Sequence, residues 1–236
     1  MRTRFQQGLE DLREKLLRMG GFAEQAVERA CQAYIDRDLN RCHQVLENES
    51  IINAAEREID EAAFDLMAMQ QPMAVDLRFL LAVVKINADL ERVGDQAVNI
   101  AERVMDMVEL PAVELPVDIP RMATAVSAMV RRALESFVEG KAELAQAVLE
   151  MDNVVDRMRD EAFIVLVKKM NTSPDSTRQA LDALLIARNL ERVADHATNI
   201  AEDVIFWVRG DDVRHNVTPD APPFPRSEER RVGKEC

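Results

Sequence analysis

Apolar residues recur at helical spacing along almost the whole chain. Leu9, Leu12, Leu16, Met19, Ala23, Ala26, Val27, Ala30 and Ala33 fall three or four residues apart, which predicts one helix over about Arg4 to Arg37, continuing through Gly20-Gly21. Asp36 to Asn40 is a polar turn. A second helix runs from about Leu39 to Gln70, and Pro72 marks its end, because proline suits a first helical turn and not an interior. The third runs from about Met73 to Val108. Residues 110 to 120 hold three prolines, which predicts a non-helical linker. The pattern then restarts: helix four over about Arg121 to Glu139 with Gly140 at its end, helix five over about Ala142 to Met170, a turn with an N-cap signal over Asn171 to Pro174, and helix six over about Asp175 to Val208, ended by Gly210. From Asp211 the period is lost. Thr218 to Pro225 is proline-rich, and Arg226 to Cys236 is charged with no apolar face, so the tail reads as disordered, whether or not its end is native.

The two halves repeat each other. Leu90 to Val104 aligns without gaps to Leu190 to Val204, with eleven of fifteen positions identical. The expected fold class is therefore all-α: two tandem, pseudo-symmetric three-helix bundles built from six long helices. Residues 1–110 form the first bundle, 111–120 the linker, 121–210 the second bundle and 211–236 the tail.

Each copy carries an acidic face. Glu91, Asp95, Asn99 and Glu102 span only about 80° of the third helix at 100° per residue. Ile86, Leu90, Val93, Ala97, Ile100, Ala101 and Val104 lie opposite. The sixth helix repeats the face with Glu191, Asp195, Asn199 and Glu202. Ionised carboxylates at i and i+4 repel one another, and a hard cation between them removes the repulsion. One helix supplies too few oxygens for a tight site. The second helix offers Glu49 and Asn53 at the same spacing, and the fifth offers Asp152 and Asp156. An acidic pair on a helix is ordinarily a solvated surface, but here the acids recur together with Arg92 and Arg192. For these arginines a salt bridge that stiffens the face is the plainer reading. His43 and His196 read as surface histidines, and His215 as a cap or contact near the last helix.

Composition narrows the function. A net charge of −13 opposes binding to nucleic-acid phosphates. The three cysteines, Cys31, Cys42 and Cys236, are irregularly spaced, which fits free thiols better than disulfides or a zinc knuckle. The opening residues do not read as a signal peptide, and no apolar run is long enough to span a bilayer. Glycine-rich phosphate loops, nucleophile elbows, H-E-x-x-H and the E-x-x-H pairs of di-iron bundles are all missing.

The signatures Leu90-Glu-Arg-Val-Gly-Asp95 and Leu190-Glu-Arg-Val-Ala-Asp195, each followed four residues later by Asn-Ile, resemble those of the PhoU family. Gln71-Pro72 leading to Asp76-Leu-Arg78, and Val208 to His215, resemble it too, so the likeness covers about residues 1 to 217. It implies tandem three-helix bundles and a cytoplasmic, non-enzymatic negative regulator of phosphate uptake and of the phosphate-starvation response. Such a protein couples the ATPase of a phosphate ABC transporter to a sensor histidine kinase, meets the membrane only through partners, and is expected here as a homodimer. Some members carry multinuclear metal clusters on these faces and others are metal-free, so iron, zinc, magnesium or manganese is the cation expected here, if any. Carried over, the metal positions are Glu49, Asn53, Glu91, Asp95, Asp152, Asp156, Glu191 and Asp195, with Arg92, Asn99, Arg192 and Asn199 as motif or interaction residues. Asn53 departs from the family, which often has an acid there, so the first face is expected to hold metal more weakly than the second. The competing expectations are a metal-dependent enzyme acting on phosphate compounds and a metal-free helical scaffold.

Overall fold

Helix α1 spans Arg4–Asp36, α2 Leu39–Gln70, α3 Ala74–Val108, α4 Ile119–Glu139, α5 Ala142–Thr172 and α6 Thr177–Arg209. This computed structural model describes residues 4–70, 72–211 and 213. Gln71, Asp212, Arg214 and His215 of the motif segments, Cys236, and the tail from residue 214 that reads as disordered lie outside the described residues. The fold is all-α, and α1–α3 and α4–α6 form two three-helix groups.

The helices follow the predicted periods, with differences at the ends. Ile119 and Pro120, read as linker, already belong to α4. Asp118 caps this helix by accepting a hydrogen bond from the Arg121 amide at 3.0 Å. Proline costs nothing in a first turn, where its missing N–H has no helical partner. Asn171 and Thr172, read as turn, extend α5. The turn itself is a single 3-10 turn, Pro174–Ser176, and the predicted cap makes no side-chain bond to the helix that follows. Instead Ser176 donates its hydroxyl to the Ser173 carbonyl at 2.8 Å.

Buried residues of all six helices join in one core, which includes Leu16, Ile59, Leu90, Phe137, Leu166 and Leu190. The two groups meet along α3 and α6 and again along α1 and α4, while α2 and α5 lie on the outside of the pair. Gly20 marks the second meeting. A Cβ there would lie 2.7 Å from Leu134 Cδ2, so the glycine lets α1 approach α4 closely without breaking the helix. At one end of the joint the rings of Phe79, Phe137 and Trp207 cluster with centroids 5.1–5.8 Å apart, the two phenylalanines stacked and the tryptophan turned across them. The Arg13 guanidinium from α1 sits 5.3–5.9 Å from all three, a cation–π contact that ties four helices together.

The α3–α6 seam is partly ionic. Lys85 on α3 meets the buried Asp203 on α6 at 3.1 Å, and Arg103 on α3 meets the buried Asp182 on α6 at 4.0 Å. Positions 103 and 203 are equivalent in the repeat and carry opposite charges. Two arginines close helix ends from a distance. Arg37, in the left-handed region at φ 52, donates to the carbonyls of Met107, Val108 and Leu110 at the end of α3. Arg78 donates to the Trp207 carbonyl near the end of α6.

Candidate functional site

The repeat extends to the second and fifth helices. Cys42, Val45, Ile52, Ile59 and Ala63 are buried on α2, and Ala145, Val148, Val155, Ala162 and Leu166 are buried at matching positions on α5. That register pairs Glu49 with Asp152, Asn53 with Asp156, and Glu56 with Arg159. The acids of α2 thus stand beside those of α3, and the acids of α5 beside those of α6, because each pair packs through its apolar stripe.

On the first face Glu91 is held above the usual carboxylate range. Desolvation is the main cause, with repulsion from Asp95, Glu56 and Glu49 adding to it and Arg92 opposing it. This brings together three of the four predicted donors, Glu49, Glu91 and Asp95, and adds Glu56. The fourth, Asn53, is partly buried, and its amide oxygen has no hydrogen-bond partner. Asn99 is partly buried and Arg92 exposed.

The second face gathers all four predicted acids. Asp195 is pushed up to about 6, by desolvation first and then by Glu191, Asp152 and Asp156, with His196 pulling the other way. Asp152 is raised by desolvation, Asp156 and Glu191. Among them lies Arg159, which reaches Asp156 at 3.2 Å, Asp160 at 3.1 Å and Glu191 at 3.6 Å. Its own pKa is raised, chiefly by the bond to Asp156. A groove of about 510 Å³ opens beside it, lined by Phe163, Leu184, Leu185, Arg188, Glu191, Arg192 and Asp195.

Asn199 is turned away from the acids: its amide donates to Asp89 of α3 at 3.2 Å. The same Asp89 oxygen lies 2.9 Å from His196 Nδ1. His196, read as a surface histidine, is therefore half-buried in the seam, held by a carboxylate on the facing helix. His43 is exposed. Cys31 and Cys42 are free and buried, and burial pushes the Cys31 thiol up to about 12, so it stays protonated and inert.

The donor chemistry suits a hard cation differently at the two faces. The first face offers carboxylates and an unpartnered amide oxygen, which fit one. The second already contains a fixed positive charge against two of its acids, which does not fit one. As the side chains stand, no three Asp, Glu, His or Cys groups among the described residues are arranged to hold a metal ion.

The PhoU domain model matches the chain twice, over residues 16–104 and 119–204, once on each three-helix group. The chain belongs to the PhoU family. It is 41% identical over 214 residues to a phosphate-specific transport system accessory protein PhoU homolog of Pseudomonas aeruginosa, covering 89% of this chain and 88% of the relative. A protein of the same description from Clostridium acetobutylicum is 32% identical, with 90% and 97% covered. The crystal structure of PhoU from Pseudomonas aeruginosa superposes with a TM-score of 0.84 at 39% identity, covering 88% of this chain and all of that one. The phosphate transport system regulatory protein PhoU from Streptococcus pneumoniae shares the fold, with a TM-score of 0.79 at 23% identity, over 89% and 99% of the two chains.

Within this PhoU fold, two separate motif segments prove to be one contact. Arg78 closes the end of α6, and its guanidinium stands 3.7 Å from where a Gly210 side chain would begin. Gly210 ends α6 in the left-handed conformation at φ 80, which suits glycine. Glu56, Arg159 and Asp89 were not singled out in the sequence. The first two were within reach of it, since Glu49-Asn53-Glu56 and Asp152-Asp156-Arg159 share the spacing i, i+4, i+7. Asp89 gave no such signal, because its partners lie more than a hundred residues away.

Proposed function

We propose that this chain is a non-enzymatic regulator that restrains phosphate uptake and the phosphate-starvation response. In this reading it links the ATPase of a phosphate ABC transporter to a sensor histidine kinase at the cytoplasmic face of the membrane, as a homodimer. The observation that carries the reading is the double PhoU domain match, one on each three-helix group, together with relatives described as accessory proteins of phosphate-specific transport. No helix among the described residues is long and apolar enough to cross a membrane, so contact with a transporter runs through protein surfaces. The outer helices supply such surfaces. Ile51 and Phe64 on α2, and Val154, Phe163 and Ile164 on α5, are exposed large apolar side chains, and Phe163 lines the groove beside Glu191 and Asp195.

A hard cation would act here as a structural bridge between helices. On the first face Glu49, Glu56, Glu91, Asp95 and the Asn53 oxygen are the groups to hold it. It would neutralise repelling carboxylates and fix α2 against α3. Catalysis needs more: a general base or an activated nucleophile at an open site. Among the described residues, the histidine beside the faces is His196, and it is already engaged by Asp89.

Deleting the gene tests the reading. Phosphate-starvation genes are expected to switch on in phosphate-rich medium, and a reporter that stays silent there would sink it. Turnover of phosphoesters by purified protein, lost in Glu191→Ala, would favour an enzyme instead.

A further inference from the structure

We infer that Arg159 is a resident counter-ion of Asp156 and Glu191, and that it keeps a divalent cation from bridging α5 and α6 at the second acidic face. The inference goes beyond the regulatory reading and is tested on purified protein alone.

Three observations carry it. The guanidinium reaches acids on both helices that would have to share a metal: Asp156 on α5 at 3.2 Å and Glu191 on α6 at 3.6 Å. An ion bridging these helices would need the same oxygens. Arginine stays charged at all working pH values and cannot yield by losing a proton, as lysine or histidine can. The equivalent position in the first repeat is Glu56, so the exchange reverses the charge at one point of the site. Arg188 adds a second positive charge to the groove where the first repeat has Ala88, and Arg192 and Arg92 are common to both. On this reading the four acids of the second face do not by themselves make it the better cation site, because Arg159 already occupies two of them.

Displacing Arg159 would break its contacts to acids on both helices, since its terminal nitrogens hold Asp156, Asp160 and Glu191. A metal entering the face would take Asp156 and Glu191 from those nitrogens and set a guanidinium near a dication.

Mn²⁺ binding to the purified full chain decides the matter, with free Mn²⁺ followed by electron paramagnetic resonance or binding by calorimetry. Wild type and Asp152→Asn/Asp195→Asn are expected to bind the same number of Mn²⁺ ions. Arg159→Gln is expected to bind one more per chain, and that ion is lost again in Arg159→Gln/Asp152→Asn/Asp195→Asn. Loss of a Mn²⁺ ion from wild type on Asp152→Asn/Asp195→Asn overturns the inference, and this arm needs no change at Arg159. An Arg159→Gln protein that is folded by circular dichroism and binds no extra ion overturns it too. Either result leaves the regulatory reading standing, since that rests on gene deletion.

Discussion

Asp195 stands among Glu191, Asp152 and Asp156, and its carboxyl is pushed from 3.8 up to about 6. The consequence for stability has a definite sign. Below about pH 4 the group is neutral in both the folded and the unfolded chain and contributes no penalty. As pH rises towards 6, the unfolded chain releases the proton while the folded protein retains it. Stability is therefore lost as pH rises from about 4 to about 6, and above that, where both states are ionised, the loss is complete and constant. Asp195→Asn is therefore expected to raise the melting temperature at pH 7 and to leave it unchanged below about pH 4. Thermal unfolding of both proteins at the two pH values checks this, and an equal gain at both would show that the effect is not ionic. Individual residue roles were the least legible part of the sequence. His196 and Asn199 take their roles from Asp89 on a neighbouring helix, and a helical wheel records direction without saying what lies opposite.

At the scale of elements, far more could be read in advance. Periodicity is a local property, so the six helices and the split between core and acidic faces followed from spacing alone. Helix ends were harder. Pro120 reads as a breaker yet sits harmlessly in a first turn, and the end of α3 is closed by Arg37, about seventy residues away. Pairing of the helices was not legible either, because apolar stripes on α3 and α6 do not announce their register. The structure sets that register with charge. Lys85 lies against Asp203, which is 4% exposed, and also over the Phe206 ring at 5.7 Å. Lys85→Asp is expected to cost about 2 kcal/mol in urea unfolding, below the range for a fully buried pair because the lysine is partly exposed. The exchange Lys85→Asp/Asp203→Lys should recover part of that loss, the ring contact being gone. A double variant no better than the single one would mean that the pair does not set the register.

On the scale of the whole molecule, the opposite charges at the equivalent positions 103 and 203 decide which halves can associate. Suppose two copies of the first half met as α3 and α6 do. Lys85 would then face Arg103, and cation would oppose cation. Two copies of the second half would set Asp182 against Asp203. Only the unlike combination places each charge against its opposite. A two-fold symmetric ancestor could not have held this arrangement, since a residue cannot differ in sign from its own copy. Cut within residues 110–118 and expressed as two polypeptides, the halves should find each other in preference to themselves, as size-exclusion chromatography of differently tagged halves would reveal. The chain behaves as a heterodimer whose subunits share one backbone.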